Sequence, residues 1–200
     1  MSRGTPVSTM ETTVYLWSAI PVALNSSMVP LGTAAPDFSL PDLDGEVRSL
    51  ESFTAPALLV AFACNHCPYV RHIEQTFGSF TAGQADLDTV AICANDTASH
   101  PEDGPAGLAE QVARAQWTFP YLVDESQEVA RAYRAVCTPD FFLYGPDRKL
   151  AYRGAFDGST PGNGVPVTGE YLASAIERVR KGEPVPEPHY PSMGCGIKWR

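Results

Sequence analysis

Ala57-Leu58-Leu59-Val60-Ala61-Phe62-Ala63-Cys64-Asn65-His66-Cys67-Pro68-Tyr69-Val70 is the stretch that decides the fold. Its first seven residues form a continuous apolar run, the pattern of a strand buried on both faces of a sheet. From Val70 onward, Ile73, Phe77 and Phe80 recur at helical spacing. The two cysteines therefore sit where a buried strand gives way to a helix. Unpaired backbone N–H groups and the positive end of the helix dipole favour a thiolate there, and the thiolate is the attacking species in disulfide exchange. Two cysteines one helical turn apart can close on each other and release a mixed disulfide. In this reading Cys64 is the attacking thiol, and Cys67, inside the helix, resolves the intermediate. His66 tunes the pair, because an imidazolium lowers a neighbouring thiol's pKa; Asn65 is the second tuning candidate. The competing readings are two core cysteines, or half of a zinc site. A structural zinc site needs a second ligand pair, and Cys93, Cys137 and Cys195 are isolated, so no bound metal is expected.

Outward from this stretch, the elements alternate. Upstream, Phe38–Leu40 and Glu46–Ser49 flank an Asp44-Gly45 turn and predict a hairpin. Downstream, a central strand over 87–94 is followed by a Gly/Pro-rich loop over 101–107, a helix over 108–116, a strand over 121–123 and a helix over 126–133. A second hairpin pairs Asp140–Tyr144 with Leu150–Arg153. After a loop over 157–167, a helix capped by Thr168 runs to Lys181-Gly182. The fold class is α/β: a central mixed sheet, largely parallel, flanked by helices, with an N-terminal β-hairpin. Residues 1–30 are expected to be a partly disordered extension, 31–185 the domain, and 186–200 a Pro-rich, irregular tail carrying Cys195.

The 200 residues suit one domain with its own core, and the formal net charge of −9 speaks against nucleic acid and anionic membranes as partners. No stretch approaches the roughly 18 uninterrupted apolar residues of a membrane span. Val14–Leu24 is a weak signal-like stretch, broken by Ser18 and Pro21; a start at Met10 is an alternative reading. Five cysteines in a chain this long fit a catalytic pair plus singles better than a disulfide framework. A reducing cytoplasm is the expected compartment.

Thr138-Pro139, ahead of the strand Asp140–Tyr144, resembles the cis-proline segment of the thioredoxin superfamily. That resemblance implies a thioredoxin-like fold, with Pro139 beside the dithiol and Thr138 and Pro139 positioning the partner. Pro30-Leu31-Gly32-Thr33 and Ala35-Pro36-Asp37-Phe38 resemble the start of the alkyl hydroperoxide reductase/thiol-specific antioxidant (redoxin) family. Phe62–Val70, Cys137–Phe142 and Pro191–Trp199 resemble a peroxiredoxin-like bacterial branch of it. Two departures matter. Aligned on Cys64, the proline and the hydroxyl residue that peroxiredoxins carry are Ala57 and Ala61. The buried acid that thioredoxin holds in the strand before its dithiol has no counterpart in Ala57–Ala63.

The expected function is therefore thiol–disulfide oxidoreduction through Cys64 and Cys67, without a cofactor, with a dithiol protein or small thiol as electron partner. One alternative is a thiol peroxidase with Cys64 oxidised by a hydroperoxide; another is copper(I) binding by the two thiolates and His66. Cys137, two residues before Pro139, and Cys195, between two glycines, are candidate additional thiols. Cys93 is expected in the core. Asn95-Asp96 is placed at the sheet edge that carries Cys64, as a turn or as a substrate contact. Arg153 is expected in a surface ion pair, and Trp117 and Trp199 in packing.

Overall fold

The computed structural model describes residues 23–200. The expectations on residues 1–22, including most of the signal-like stretch and the alternative start, lie outside the described residues.

The buried run becomes β4 (Ala57–Phe62), with every residue buried. It is the centre of a five-stranded sheet ordered β6-β5-β4-β8-β9, formed with β5 (Leu87–Cys93), β6 (Tyr121–Val123), β8 (Asp140–Tyr144) and β9 (Leu150–Gly154). The β4–β5 and β5–β6 pairs are parallel, and β8 and β9 add on antiparallel. The sheet is thus mixed, with three parallel strands and two that return as a hairpin.

Successive residues of β4 point to opposite faces, and each face has its own core. Leu59, Ala61 and Ala63 join Val70, Ile73 and Phe77 of α1 (Pro68–Ala82), Leu108 of α2 (Pro105–Ala115), and Leu172 and Ile176 of α4 (Glu170–Arg180). Leu58, Val60 and Phe62 face Phe38, Phe53 and α3 (Glu128–Tyr133). Tyr133 anchors the second core: its ring is edge-on to Phe62 and Phe142, and its hydroxyl donates to the Pro36 carbonyl at 3.0 Å. Tyr133→Phe removes that one bond and is expected to cost about 1 kcal/mol. In a urea titration the midpoint should fall with the slope unchanged.

The N-terminal hairpin pairs β2 (Ser39–Pro41) with β3 (Val47–Ser49) around the expected turn. Gly45 takes φ +87° there, and the Asp42 carboxylate accepts the N–H groups of Asp44 and Glu46.

Three expectations are corrected. The helix expected from residue 108 begins at Pro105, because a proline at the first helical position gives up only an N–H that would be unpaired anyway. The last helix is led in by Gly169, at φ +69°, rather than capped by Thr168. The Asp157 carboxylate accepts both N–H groups there, at 2.7 Å, and a Cβ on Gly169 would lie 2.5 Å from the Phe156 ring.

The third correction concerns the two segments expected to be irregular. Ala23–Asn25 forms β1 and Met193–Gly196 forms β10, and with β7 (Cys137–Thr138) they make an antiparallel sheet ordered β1-β10-β7. Order therefore begins before Leu31, and the segment after α4 is structured. The pairing is long-range: Ser26 and Ser192, 166 positions apart, exchange hydrogen bonds. Local composition carries no trace of such contacts. No helix among the described residues is long and apolar enough to cross a membrane.

Candidate active site

Strand β4 ends at Phe62, and the chain makes a short turn through Asn65 and His66 before α1 starts at Pro68. Cys67 is consequently the residue that caps α1, not one inside it. The free N–H groups of the first turn and the positive helix end bear on Cys67 rather than on Cys64. Both sulfurs are fully buried, and all five cysteines are free thiols.

Thr138 and Pro139 lie against the pair, joined by a cis peptide bond. The Cys64 sulfur is 3.3 Å from the Thr138 hydroxyl, and the Cys67 sulfur is 3.1 Å from the Thr138 carbonyl. The two cysteines thus meet the same residue from its side chain and its backbone. Cys195 completes the group, since β10 sets it directly opposite Thr138.

Electrostatics separate the thiols. Hydrogen bonds from the Cys195 and Cys64 thiols draw the Cys67 pKa far below the ordinary thiol value, against the opposing effect of burial. Burial drives Cys64 well above that value, with Cys67 and the Asp103 charge adding to it. The bond to Cys67 and burial likewise raise Cys195. Of the three thiols, Cys67 is the one whose ionisation the surroundings favour, while those of Cys64 and Cys195 are disfavoured.

The turn between the cysteines is held by a residue that sequence reasoning missed. Asp103, fully buried in a short 3-10 turn (Pro101–Asp103), accepts the backbone N–H groups of Asn65 at 2.8 Å and His66 at 3.0 Å. Its second oxygen takes Asn95 Nδ2 at 2.7 Å and His66 Nδ1 at 2.6 Å. Burial alone would raise the Asp103 pKa, but the bonds from His66 and Asn95 outweigh it and hold it below the usual value. His66 is raised in turn, chiefly by its bond to Asp103. Its Nδ1 is 3.8 Å from the Cys64 sulfur, and its ring stacks on His100.

Asn65 pins the turn. Its amide donates to the Glu102 carbonyl, its side-chain oxygen accepts from Arg71 and Arg114, and Arg114 pairs with buried Glu74 through two bonds. Gln111 adds a bond to the Cys64 carbonyl. The available signal for Asp103 was its position in the loop after β5, at the sheet edge that carries the motif.

Asn95 lies at that edge as expected, and it also accepts the Lys198 N–H. Asp96 turns the chain and pairs with Arg200. Cys93 is core, with burial raising its pKa to about 12. Cys137 is not gathered into the site. Neighbours on a strand face opposite ways, and Thr138 takes the face toward Cys64; the Cys137 thiol donates to the Pro139 carbonyl, and burial raises its pKa. Arg153 does form an ion pair, with Glu187, but its guanidinium is buried against His189 rather than on the surface. Trp117 packs in the core and donates to the Glu74 carbonyl, and Trp199 lies under Arg131.

Cys64, His66 and Asp103 have donor atoms within 4.8 Å of one another. However, His66 Nδ1 and Asp103 Oδ2 are 2.6 Å apart, closer than the roughly 3.3 Å that tetrahedral coordination at ordinary bond lengths requires. Asp103 is also occupied by four protein donors. This is a hydrogen-bond network, not a ligand set.

A dithiol at the junction of a central strand and a helix, facing a cis-proline, in a mixed five-stranded sheet, defines a redox protein of the thioredoxin-like class. The chain belongs to the AhpC/TSA family, whose model matches residues 31–153. It is 43% identical to an uncharacterized conserved protein from Geobacillus kaustophilus, whose structure superposes with a TM-score of 0.87 over 90% of this chain and 97% of that one. A hypothetical protein from Sinorhizobium meliloti 1021 is 47% identical, with a TM-score of 0.85 over 88% and 98%. A secreted Mycobacterium tuberculosis disulfide oxidoreductase shares the fold at 14% identity, with a TM-score of 0.56 over 70% and 94%. Comparison with curated proteins finds no match.

Proposed function

We propose that the protein is a thiol–disulfide oxidoreductase working through Cys64 and Cys67, with a dithiol protein or a small thiol as electron partner. One observation carries this reading: two thiols, three residues apart at the start of a helix, share contacts with Thr138 beside Pro139. Cys67 supplies the attacking thiolate, and Cys64 donates a hydrogen bond to it in the reduced state and closes the disulfide on oxidation. This reverses the roles expected from the sequence, because the helix starts one residue after Cys67. A cleft lined by Tyr69, His72, Pro139, Phe156 and Met193 opens beside the site and is where a partner chain would approach. In a reducing cytoplasm the pair would run as a reductase.

A peroxidase is the second reading. Ala61 supplies no hydroxyl, but the Thr138 hydroxyl 3.3 Å from the Cys64 sulfur puts one there from another strand. The test is to treat the reduced protein with hydrogen peroxide and, separately, with a small disulfide, following thiol loss and mapping products by mass. Rapid exchange, with peroxide oxidation no faster than that of free cysteine, supports the oxidoreductase. Peroxide oxidation far faster than free cysteine, with slow exchange, makes the protein a peroxidase.

A further inference from the structure

The dithiol is covered by the protein's own strand. β10 pairs with β7 in the register Cys195↔Thr138 and Gly196↔Cys137. Thr138 is the residue whose hydroxyl meets Cys64 and whose carbonyl meets Cys67, so the strand lies along the one segment that contacts both sulfurs. The approach is close. A Cβ on Gly194 would lie 1.9 Å from the Thr138 carbonyl oxygen and 3.1 Å from the Pro139 nitrogen. A glycine is therefore required for the backbones to come together as they do. That approach brings the Cys195 side chain into the same buried cluster as Cys64 and Cys67, opposite the residue that both sulfurs meet.

The strand is fastened on both sides of Cys195. Before it, Ser192 exchanges bonds with Ser26 and donates to the Gly154 carbonyl. After it, the Ile197 N–H goes to Val136, the Lys198 N–H to Asn95, and the Lys198 carbonyl accepts from Asp96 and Gln127. Asn95 also holds Asp103, which holds the turn between the two cysteines. One side chain thus links the cover to the motif.

We propose that Cys195 is a third redox thiol of this site, exchanging with the dithiol to form a Cys67–Cys195 disulfide. The proposal rests on the oxidoreductase reading and adds a second path for resolving its intermediate. The Cys67 thiolate attacks a small disulfide R–S–S–R, forming Cys67–S–S–R and releasing RS⁻. The Cys195 thiol gives up its proton, attacks the Cys67 sulfur and expels the second RS⁻. Two protein thiols become one disulfide and R–S–S–R becomes two thiols, so atoms and electrons balance. Alternatively, Cys195 attacks Cys67 within a Cys64–Cys67 disulfide, and Cys64 leaves as the thiolate. β10 then plays the part of a disulfide partner held in place by its own chain.

The test uses the full chain and oxidised glutathione as the probe, with disulfides mapped by mass after digestion. In Cys64→Ser the dithiol path is closed, and the expected product is a Cys67–Cys195 disulfide without retained glutathione. In Cys64→Ser with Cys195→Ser, glutathione should stay on Cys67. In Cys195→Ser alone, only the Cys64–Cys67 disulfide should form. Thermal unfolding of each variant verifies that it is folded; Cys195→Ala serves in place of the serine variant if that one is not. A stable glutathione adduct on Cys67 in folded Cys64→Ser, with no link to Cys195, overturns the proposal and leaves the oxidoreductase reading standing. Wild-type protein that neither exchanges nor forms any disulfide overturns that reading instead.

Discussion

Cys67→Ser is expected to abolish exchange with small disulfides, reducing the rate to that of a buried thiol with an ordinary or raised pKa. The fraction of thiolate at pH 7 sets the rate of attack, and Cys67 is the thiol drawn down, by Cys195, Cys64 and the start of α1. Cys64 is raised by burial, so at neutral pH it holds its proton. A serine at 67 leaves Cys64 without a partner and without the helix end. Stopped-flow thiol loss with a chromogenic disulfide, compared across Cys64→Ser and Cys67→Ser, measures this directly. Cys64→Ser should keep the first attack and lose closure onto residue 64. If Cys67→Ser reacts as fast as wild type and Cys64→Ser does not, the attacking thiol is Cys64.

Asp103→Ala is expected to cost about 3–5 kcal/mol, the range for removing one member of a buried charged network. For a chain of this size that lowers Tm by of order 10 °C. Four donors lose their acceptor at once: two backbone N–H groups of the motif turn, Asn95 and His66. The pH dependence has a definite sign. His66 is raised in the folded state, so its contribution is complete below its unfolded pKa of about 6.5 and is lost as pH rises through the folded value. Asp103 is lowered, so its contribution is complete above about 3.9 and is lost as pH falls through the folded value. The stability difference between wild type and His66→Gln should be widest between about pH 4 and 6.5, and should narrow above that window. A difference independent of pH would show that the pair contributes no charge-dependent stability.

How much of this was legible in the sequence follows from the range of the interactions. The strand 57–63, the helix after it and the Asp44-Gly45 turn are written in local periodicity, and they formed within a residue or two of expectation. The prolines misled once, since Pro105 starts a helix where a loop was expected. The cysteine motif was recognisable from spacing and placement, but which sulfur meets the helix end was not. That depends on a turn of two residues, Asn65 and His66, fixed by Asp103 from 38 positions away. Asp103 itself is marked only by its place after β5, in a loop of prolines, glycines and acids. The cover was the least legible, because Met193-Gly194-Cys195-Gly196 has neither the alternation nor the β-branched residues of a strand. It is extended because Thr138 and Ala23–Asn25 pair with it.

Strand β10 is also made last among the parts it joins. Polypeptide synthesis runs at about 5–20 residues per second and earlier segments fold first. While residues up to about 190 are emerging, β4, α1 and β7 are already available to assemble, but their cover is still to come. For that interval of the nascent chain's life, of order several seconds, Cys64 and Cys67, both fully buried in the finished protein, lack that cover. The expected consequence is a chain whose motif thiols react more readily while it is being made than once it is folded. Pulse-chase alkylation of ribosome-bound chains truncated before and after residue 196 would expose the difference.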